Sequence, residues 1–203
     1  MSRLEKKRML QKRQTEGGDS EEKLIRKASG GDTSAMRCLY DAHIRYLTAV
    51  CSRYIPDDEN VREVLQESFT KILTSLGKFE YRGENSLRAW MTRVVVNEAL
   101  GFLRRQPKGR MVELDDGEKD LPEEEGSDDS LHDVPMAVIM SMIRKLPEGY
   151  RTVFNLYVFS DLSQNEIARM LGIEPKSVSS QFSRARGKLL KMIRDYKKVN
   201  GLR

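Results

Sequence analysis

Residues 107–134 decide how this chain can be organised. They hold eleven acidic groups against three basic ones, a net charge of −8, with Gly, Pro and Ser among them and few apolar residues. Such a segment cannot bury enough surface to offset the entropy of ordering it, so it reads as a flexible linker. Fully extended, 28 residues reach roughly 90 Å. A chain of 203 residues interrupted in this way is expected to fold as two small units rather than one large one.

On both sides of the linker, apolar residues recur at helical spacing. Nowhere do they alternate with period two over a useful length, which predicts an all-α protein of two small helical domains. The expected division is a basic flexible tail over 1–19, a helical domain over 20–106, the acidic linker over 107–134 and a second helical domain over 135–203. Ser20 is placed to cap a short helix that Gly30-Gly31 ends. Asp32 is placed to cap a longer one with Ala35, Leu39, Ala42, Tyr46, Ala49 and Val50 on its inner face. Pro56-Asp57-Asp58 breaks the chain. A helix over Glu59–Leu76 follows, with Val61, Leu65, Phe69, Ile72 and Leu76 on one stripe and Glu63, Gln66, Glu67 and Thr70 on another. Gly77 closes it, Lys78–Asn85 reads as a loop, and Ser86 is placed to cap a helix running to about Arg105. Pro147 divides two further helices, from Pro135 to about Leu146 and from Glu148 to Phe159.

The segment Leu162–Leu189 carries the sharpest local signals. Ser163 with Glu166 three positions later forms a capping box before Ile167, Ala168 and Leu171. Gly172 supplies the positive φ that ends a helix, and Pro175 suits the first turn of the next. Val178, Phe182, Ala185 and Leu189 mark that helix's inner face. Outward it offers Lys176, Ser177, Ser179, Ser180, Gln181, Arg184 and Lys188. This is the layout of a DNA-binding helix-turn-helix, whose second helix enters the major groove. The charge distribution agrees: residues 135–203 carry thirteen basic groups against five acidic. The basic tail fits either nucleic-acid contact or an ordinary solvated terminus.

Other function classes find little footing. The two histidines, His43 and His132, fall in a helix and in the linker, and neither a Gly-rich phosphate loop nor metal-ligand spacing is present. We therefore expect no catalysis by this chain, no cofactor and no metal. No apolar run approaches bilayer length and no signal peptide opens the chain, which predicts a cytoplasmic protein without membrane insertion. Cys38 and Cys51 read as inert thiols in a reducing compartment, since a bridge would only staple two ends of one helix.

Three blocks carry a resemblance to a known family. Glu63-Val64-Leu65-Gln66-Glu67-Ser68-Phe69 resembles an acidic-hydrophobic-Gln-Glu-x-Phe block. Phe79–Leu103, FEYRGENSLRAWMTRVVVNEALGFL, resembles a Phe-Arg-Gly loop followed by a helix with tryptophan and Arg-x-x-x-Asn. Leu146–Leu189 resembles a Leu-Pro entry leading into a helix-turn-helix. In this order, across an acidic linker, they resemble regions two and four of bacterial RNA polymerase sigma factors, the compact extracytoplasmic-function (ECF) type of the sigma-70 family.

The resemblance implies an alternative sigma factor that binds core RNA polymerase and directs promoter-specific transcription initiation. Glu63, Gln66, Glu67 and Thr70 are then expected to grip the clamp helices of the polymerase's largest subunit, and the second domain the flap of the second-largest. The loop Lys78–Asn85 is implied to capture a base flipped from the minus-ten strand. Tyr81 offers an aromatic face there, Arg82 a planar cation and Gly83 close backbone approach. Arg93 and Asn97, four apart, share a helix face; Asn97 suits a base edge and Arg93 a phosphate or a stacked base. Arg104 and Arg105 extend the strip, and Trp90 fits either a wedge against the last paired base or a core position.

The expected readers of the minus-thirty-five element are Lys176, Ser177, Ser179, Ser180, Gln181 and Arg184. Arg186 and Lys188 are placed to meet phosphates or cover the helix stem. Family members commonly carry arginines where Ser179 and Gln181 stand, so the DNA-binding role carries over but a promoter sequence does not. The resemblance also implies that the linker threads toward the polymerase active centre, though a plain solubilising spacer has the same composition, and that an anti-sigma factor restrains the protein. The competing architecture is an autonomous helix-turn-helix regulator with an N-terminal sensing domain. Dependence of DNA binding on core polymerase separates the two.

Overall fold

A computed structural model describes residues 21–106, 133–160 and 162–202. The basic tail with Ser20, and nearly all of the acidic linker with His132, lie outside the described residues. Every regular element described is helical. α1 occupies residues 21–29, α2 Thr33–Tyr54 and α3 Asp58–Ser75, which tightens into a 3-10 turn at Leu76–Lys78; α4 spans Ser86–Arg105. Beyond the linker come α5 (Met136–Arg144), α6 (Glu148–Phe159), α7 (Gln164–Leu171) and α8 (Pro175–Val199). Two compact units result. One comprises residues 21–51 and 58–99, the other 52–57 and the described residues from 100 onward.

In the first unit the glycine pair after α1 does what its chemistry dictates. Gly31 sits at φ 94°, Gly31 N–H donates to the Ala28 carbonyl and Asp32 N–H to the Lys27 carbonyl, the two bonds of a Schellman stop. Asp32 then caps α2 by accepting from Ala35 N–H at 3.0 Å. The buried stripe of α2 differs from the expected one. Ala35, Leu39, His43, Leu47, Val50 and Cys51 face inward, while Ala42, Tyr46 and Ala49 are exposed. A helix this mixed offers two candidate stripes sharing Ala35, Leu39 and Val50, and the one that adds Leu47 and Cys51 is buried even though it carries His43 inside. Cys51 is fully buried and desolvation pushes its thiol up to about 12, which makes it inert; Cys38 is exposed, and both are free.

On α3 the inner stripe is as expected, Val61, Leu65, Phe69 and Ile72, continued by Leu76 in the 3-10 turn and joined by Val64 and Ser68. From α4 come Leu87, Met91, Val95 and Ala99.

The second unit is built on Val134, Met142, Ile143, Leu146, Tyr150, Ala185, Leu189 and Ile193. Polar groups complete it. Arg151, 5% exposed, donates to the carbonyls of Tyr54 (3.1 Å), Arg144 (3.1 Å) and Leu146 (3.0 Å). The Arg144 and Tyr54 carbonyls close helices, where oxygens lack intrahelical partners and carry the negative end of the dipole, so a buried cation is well placed there. Asn155 donates to the Arg53 carbonyl (2.8 Å) and Arg144 to that of Pro56 (2.7 Å).

Candidate nucleic-acid interface

The helix-turn-helix follows from chemistry inside a short window. Ser163 N–H and hydroxyl both donate to Glu166 Oε2, at 2.9 and 2.6 Å, and Glu166 N–H donates back to Ser163 Oγ at 3.4 Å. The capping box is complete. These bonds to the ionised form hold the Glu166 carboxyl below its usual range. α7 stops at Gly172 with φ 69°, where Gly172 and Ile173 N–H groups both donate to the Ala168 carbonyl. Glu174 and Pro175 then open α8, the proline in its first turn.

The outer side of α8 presents Lys176, Ser179, Ser180 and Arg186 to solvent, with Ser177, Arg184 and Lys188 half-buried. Gln181 is a correction. It is 8% exposed and lies between Val178 and Ala185 at spacings of three and four, so it faces the core side rather than outward. Lys188 lies with its ammonium 6.0 Å over the Tyr150 ring, so its stem covers the core. Phe182 stands half-buried between Phe154 (5.8 Å) and Tyr157 (4.3 Å). A contact no pattern revealed is the Ser179 hydroxyl donating to Gln164 Oε1 at 2.8 Å, which ties the second helix to the first.

The first unit presents two polar surfaces. On α3, Glu63, Gln66 and Thr70 are exposed and Glu67 half-buried, one turn apart on one side; the Thr70 hydroxyl donates to the Gln66 carbonyl. On α4, Arg93 and Asn97 are exposed one turn apart, with Trp90 half-buried at the head of the same strip. Trp90 packs on Phe79, ring centroids 5.1 Å apart, so at least part of the indole is committed to the fold. Arg104 and Arg105 are exposed in the last turn; Arg104, which belongs to the second unit, donates to the Met170 carbonyl at 3.5 Å.

The loop before α4 is closed by Ser86. Arg82 N–H donates to Ser86 Oγ (3.2 Å), and the Ser86 hydroxyl and N–H donate to the Gly83 carbonyl (2.6 and 3.2 Å). Ser86 was expected to cap α4. Instead it is the first helical residue, and the preceding Asn85, at φ 66°, accepts from Ala89 N–H. Asparagine tolerates that left-handed conformation better than most residues. Gly83, at φ 101°, takes a conformation open chiefly to glycine. Arg82 pairs with Glu80 at 3.0 Å in the open, and the hydroxyl of Tyr81 is held above its usual range by desolvation first and then by the charge of Glu21 of α1 and the hydrogen bond to it.

Sequence reading also missed Glu98. It is nearly buried between Val95 and Phe102 and receives Lys71 from α3 at 2.7 Å. Its place on the apolar face of α4 was the available signal. Among the described residues no cluster of His, Cys, Asp and Glu could hold a metal ion, and no helix is long and apolar enough to cross a membrane.

Two family models match in the order of the two polar regions. "Sigma-70 region 2" matches residues 39–108 and "Sigma-70, region 4" residues 136–189. Among curated relatives, the chain is 28% identical over 179 residues to the RNA polymerase sigma-H factor of Pseudomonas aeruginosa, covering 83% of this chain and 91% of that one. It is 27% identical over 180 residues to the ECF RNA polymerase sigma-E factor of Haemophilus influenzae, covering 82% and 92%. A solved structure of the sigma factor RpoE from Bartonella quintana, in complex with the anti-sigma factor NepR, matches at 20% identity and a TM-score of 0.46, covering 78% of this chain and 96% of that one.

Proposed function

Because this chain belongs to the sigma-70 family, we propose residue by residue how it does a sigma factor's work. It is an alternative sigma factor of the ECF type, which binds core RNA polymerase and directs promoter-specific transcription initiation. Sigma factors are non-catalytic initiation factors, and in our reading the polymerase supplies all the chemistry. The autonomous-regulator architecture is not favoured, since a stand-alone operator binder has no use for a region two.

In our reading residues 20–106 act as region two and 135–203 as region four, with 107–134 as the acidic connection and 1–19 as a tail. Glu63, Gln66, Glu67 and Thr70 dock on the clamp helices of the largest subunit. Tyr81, Arg82 and Gly83 capture a base from the melted minus-ten strand, while Arg93 and Asn97 hold its neighbours and Arg104 and Arg105 meet phosphates. Lys176, Ser177, Ser179, Ser180 and Arg184 read the minus-thirty-five duplex with Arg186 on its backbone. Gln181 supports this from the core side. Region four also meets the flap of the second-largest subunit. An anti-sigma factor that covers these same surfaces restrains the protein in the cytoplasm.

The observation that supports this best is the helix-turn-helix itself. Capping box, left-handed stop and proline start set the turn between the helices, and burial of Val178, Ala185 and Leu189 leaves α8's polar side outward. The test is a pull-down and run-off transcription assay with purified core polymerase, with and without this protein. Promoter-specific transcripts that appear only on its addition are expected. No stable polymerase complex, combined with tight operator binding by the protein alone, would overturn the reading.

A further inference from the structure

The outward face of α8 continues past the point where the family match stops. That match ends at residue 189, while α8 runs unbroken to Val199. A helix of 25 residues is roughly 37 Å long, about three times the ~12 Å width of a major groove. Its C-terminal half must therefore leave the groove that its N-terminal half enters. That half remains amphipathic. Leu189 and Ile193 are buried, with Met192 and Tyr196 packed beside them. On the opposite side Lys191, Arg194 and Lys198 are exposed.

These three are collinear with the reading face. From Ser180 through Ser183 and Gly187 to Lys191, Arg194 and Lys198, each step is three or four residues, which keeps one stripe along the helix. The stripe is uncharged from Ser180 to Gly187 and cationic from Lys191 onward. Residues 186–198 carry six basic groups and one acidic, Asp195, which is exposed one position beyond Arg194. Lys197 is turned aside, 3.9 Å from Asp133 with its side chain 13% exposed.

We propose that Lys191, Arg194 and Lys198 form a phosphate-binding extension of the reading helix that grips the duplex backbone flanking the minus-thirty-five element. This rests on reading α8 as the helix that enters the major groove. Duplex DNA is favoured over an acidic protein for two reasons: the stripe continues a face already turned to DNA, and no apolar residue interrupts it to supply the desolvated core of a protein interface. Cations one helical turn apart suit a chain of phosphates.

The test compares the full-length protein with the triple variant Lys191→Gln, Arg194→Gln, Lys198→Gln. Fluorescence anisotropy follows binding to a promoter duplex recovered from the transcription assay and to a scrambled duplex of equal length, alone and with core polymerase. Circular dichroism confirms equal helicity, as expected for exposed side chains. Three lost contacts should make the salt slope shallower by about 2.7, so that between about 50 and 200 mM salt the wild type loses roughly 40-fold more affinity than the variant. The ratio of promoter to scrambled affinity should stay the same. Equal slopes, with the wild type still specific for its promoter, would overturn the extension and leave the helix-turn-helix reading intact. A wild type that binds neither duplex, even with core polymerase, would overturn that reading and the extension with it. A variant with an unchanged DNA slope but weakened polymerase binding would assign the stripe to a protein and overturn the proposal.

Discussion

The Lys71 ammonium lies 2.7 Å from a Glu98 carboxylate oxygen, joining α3 to α4 through a pair whose carboxylate side chain is 11% exposed and whose lysine is 58% exposed. Each member stands next to a residue of a proposed binding surface, Thr70 on one helix and Asn97 on the other. The pair therefore links the helix that carries the proposed polymerase side to the helix that carries the proposed strand-binding side.

Its asymmetry gives a first prediction. Lys71→Ala leaves a nearly buried carboxylate without its cation and should destabilise the first unit by about 2 kcal/mol. Glu98→Gln releases a lysine already half in water and should cost about 1 kcal/mol or less. Urea denaturation of both variants checks the order, and a larger loss for Glu98→Gln would refute the argument.

A second prediction concerns pH. His43 is 7% exposed, its Nδ1 has no hydrogen-bond partner among the described residues, and its pKa is lowered by burial first and by Arg88 second. The unfolded chain takes up this proton near the ordinary value of 6.5, the folded one only at lower pH. Stability is then complete above about pH 6.5 and falls as the pH drops toward the folded value, below which the penalty is constant. His43→Leu should flatten the difference between denaturation midpoints measured at about pH 7.5 and about pH 5.5. An unchanged difference would assign it to other groups.

Gly172 provides a third. A Cβ built there meets nothing within 4 Å, so the only penalty for alanine is the backbone at φ 69°. Gly172→Ala should destabilise the second unit by about 1–2 kcal/mol. Because the outer side of α8 is untouched, the promoter preference should survive at temperatures well below the lowered thermal midpoint. A change in preference there would show that the turn does more than stop a helix.

The fourth is functional. Arg93→Ala and Asn97→Ala remove exposed groups on α4 that support no core residue. Each should lower open-complex formation by about 1–3 kcal/mol, roughly 5- to 150-fold, while polymerase affinity holds. Permanganate reactivity of the minus-ten strand is the readout, and normal melting by both variants would remove that face from the interface.

What the sequence made legible was what its chemistry settles locally. Ser163 with Glu166, Gly172, Pro175, Asp32 and the Gly30-Gly31 pair each act on bonds a few residues away, and each does so as expected. Choices set by distant partners were not legible. Arg151 and Asn155 look like solvent-facing residues of α6, yet they are buried because the Tyr54 and Arg53 carbonyls, 97 and 102 positions earlier, need donors. His43 and Gln181 are polar residues carried inward by apolar neighbours at helical spacing, a placement residue type alone argues against. Ser86 had two jobs open to it, capping a helix or closing a loop, and only the left-handed Asn85 decided between them.

The turn between α7 and α8 has a consequence for how such a protein diversifies. Three residues, Gly172 to Glu174, separate the helices, and the bonds that set the mount are the main-chain bonds of the turn, the Ser163–Glu166 capping box and the Ser179–Gln164 bond. Lys176 and Ser180 stand outside that arrangement, and substitutions there leave the mount alone. On the proposed reading of the duplex by Lys176 and Ser180, a lineage can then rewrite which promoters it answers to one position at a time, each intermediate keeping the fold of its helix pair. The alphabet is free because the type holder is fixed.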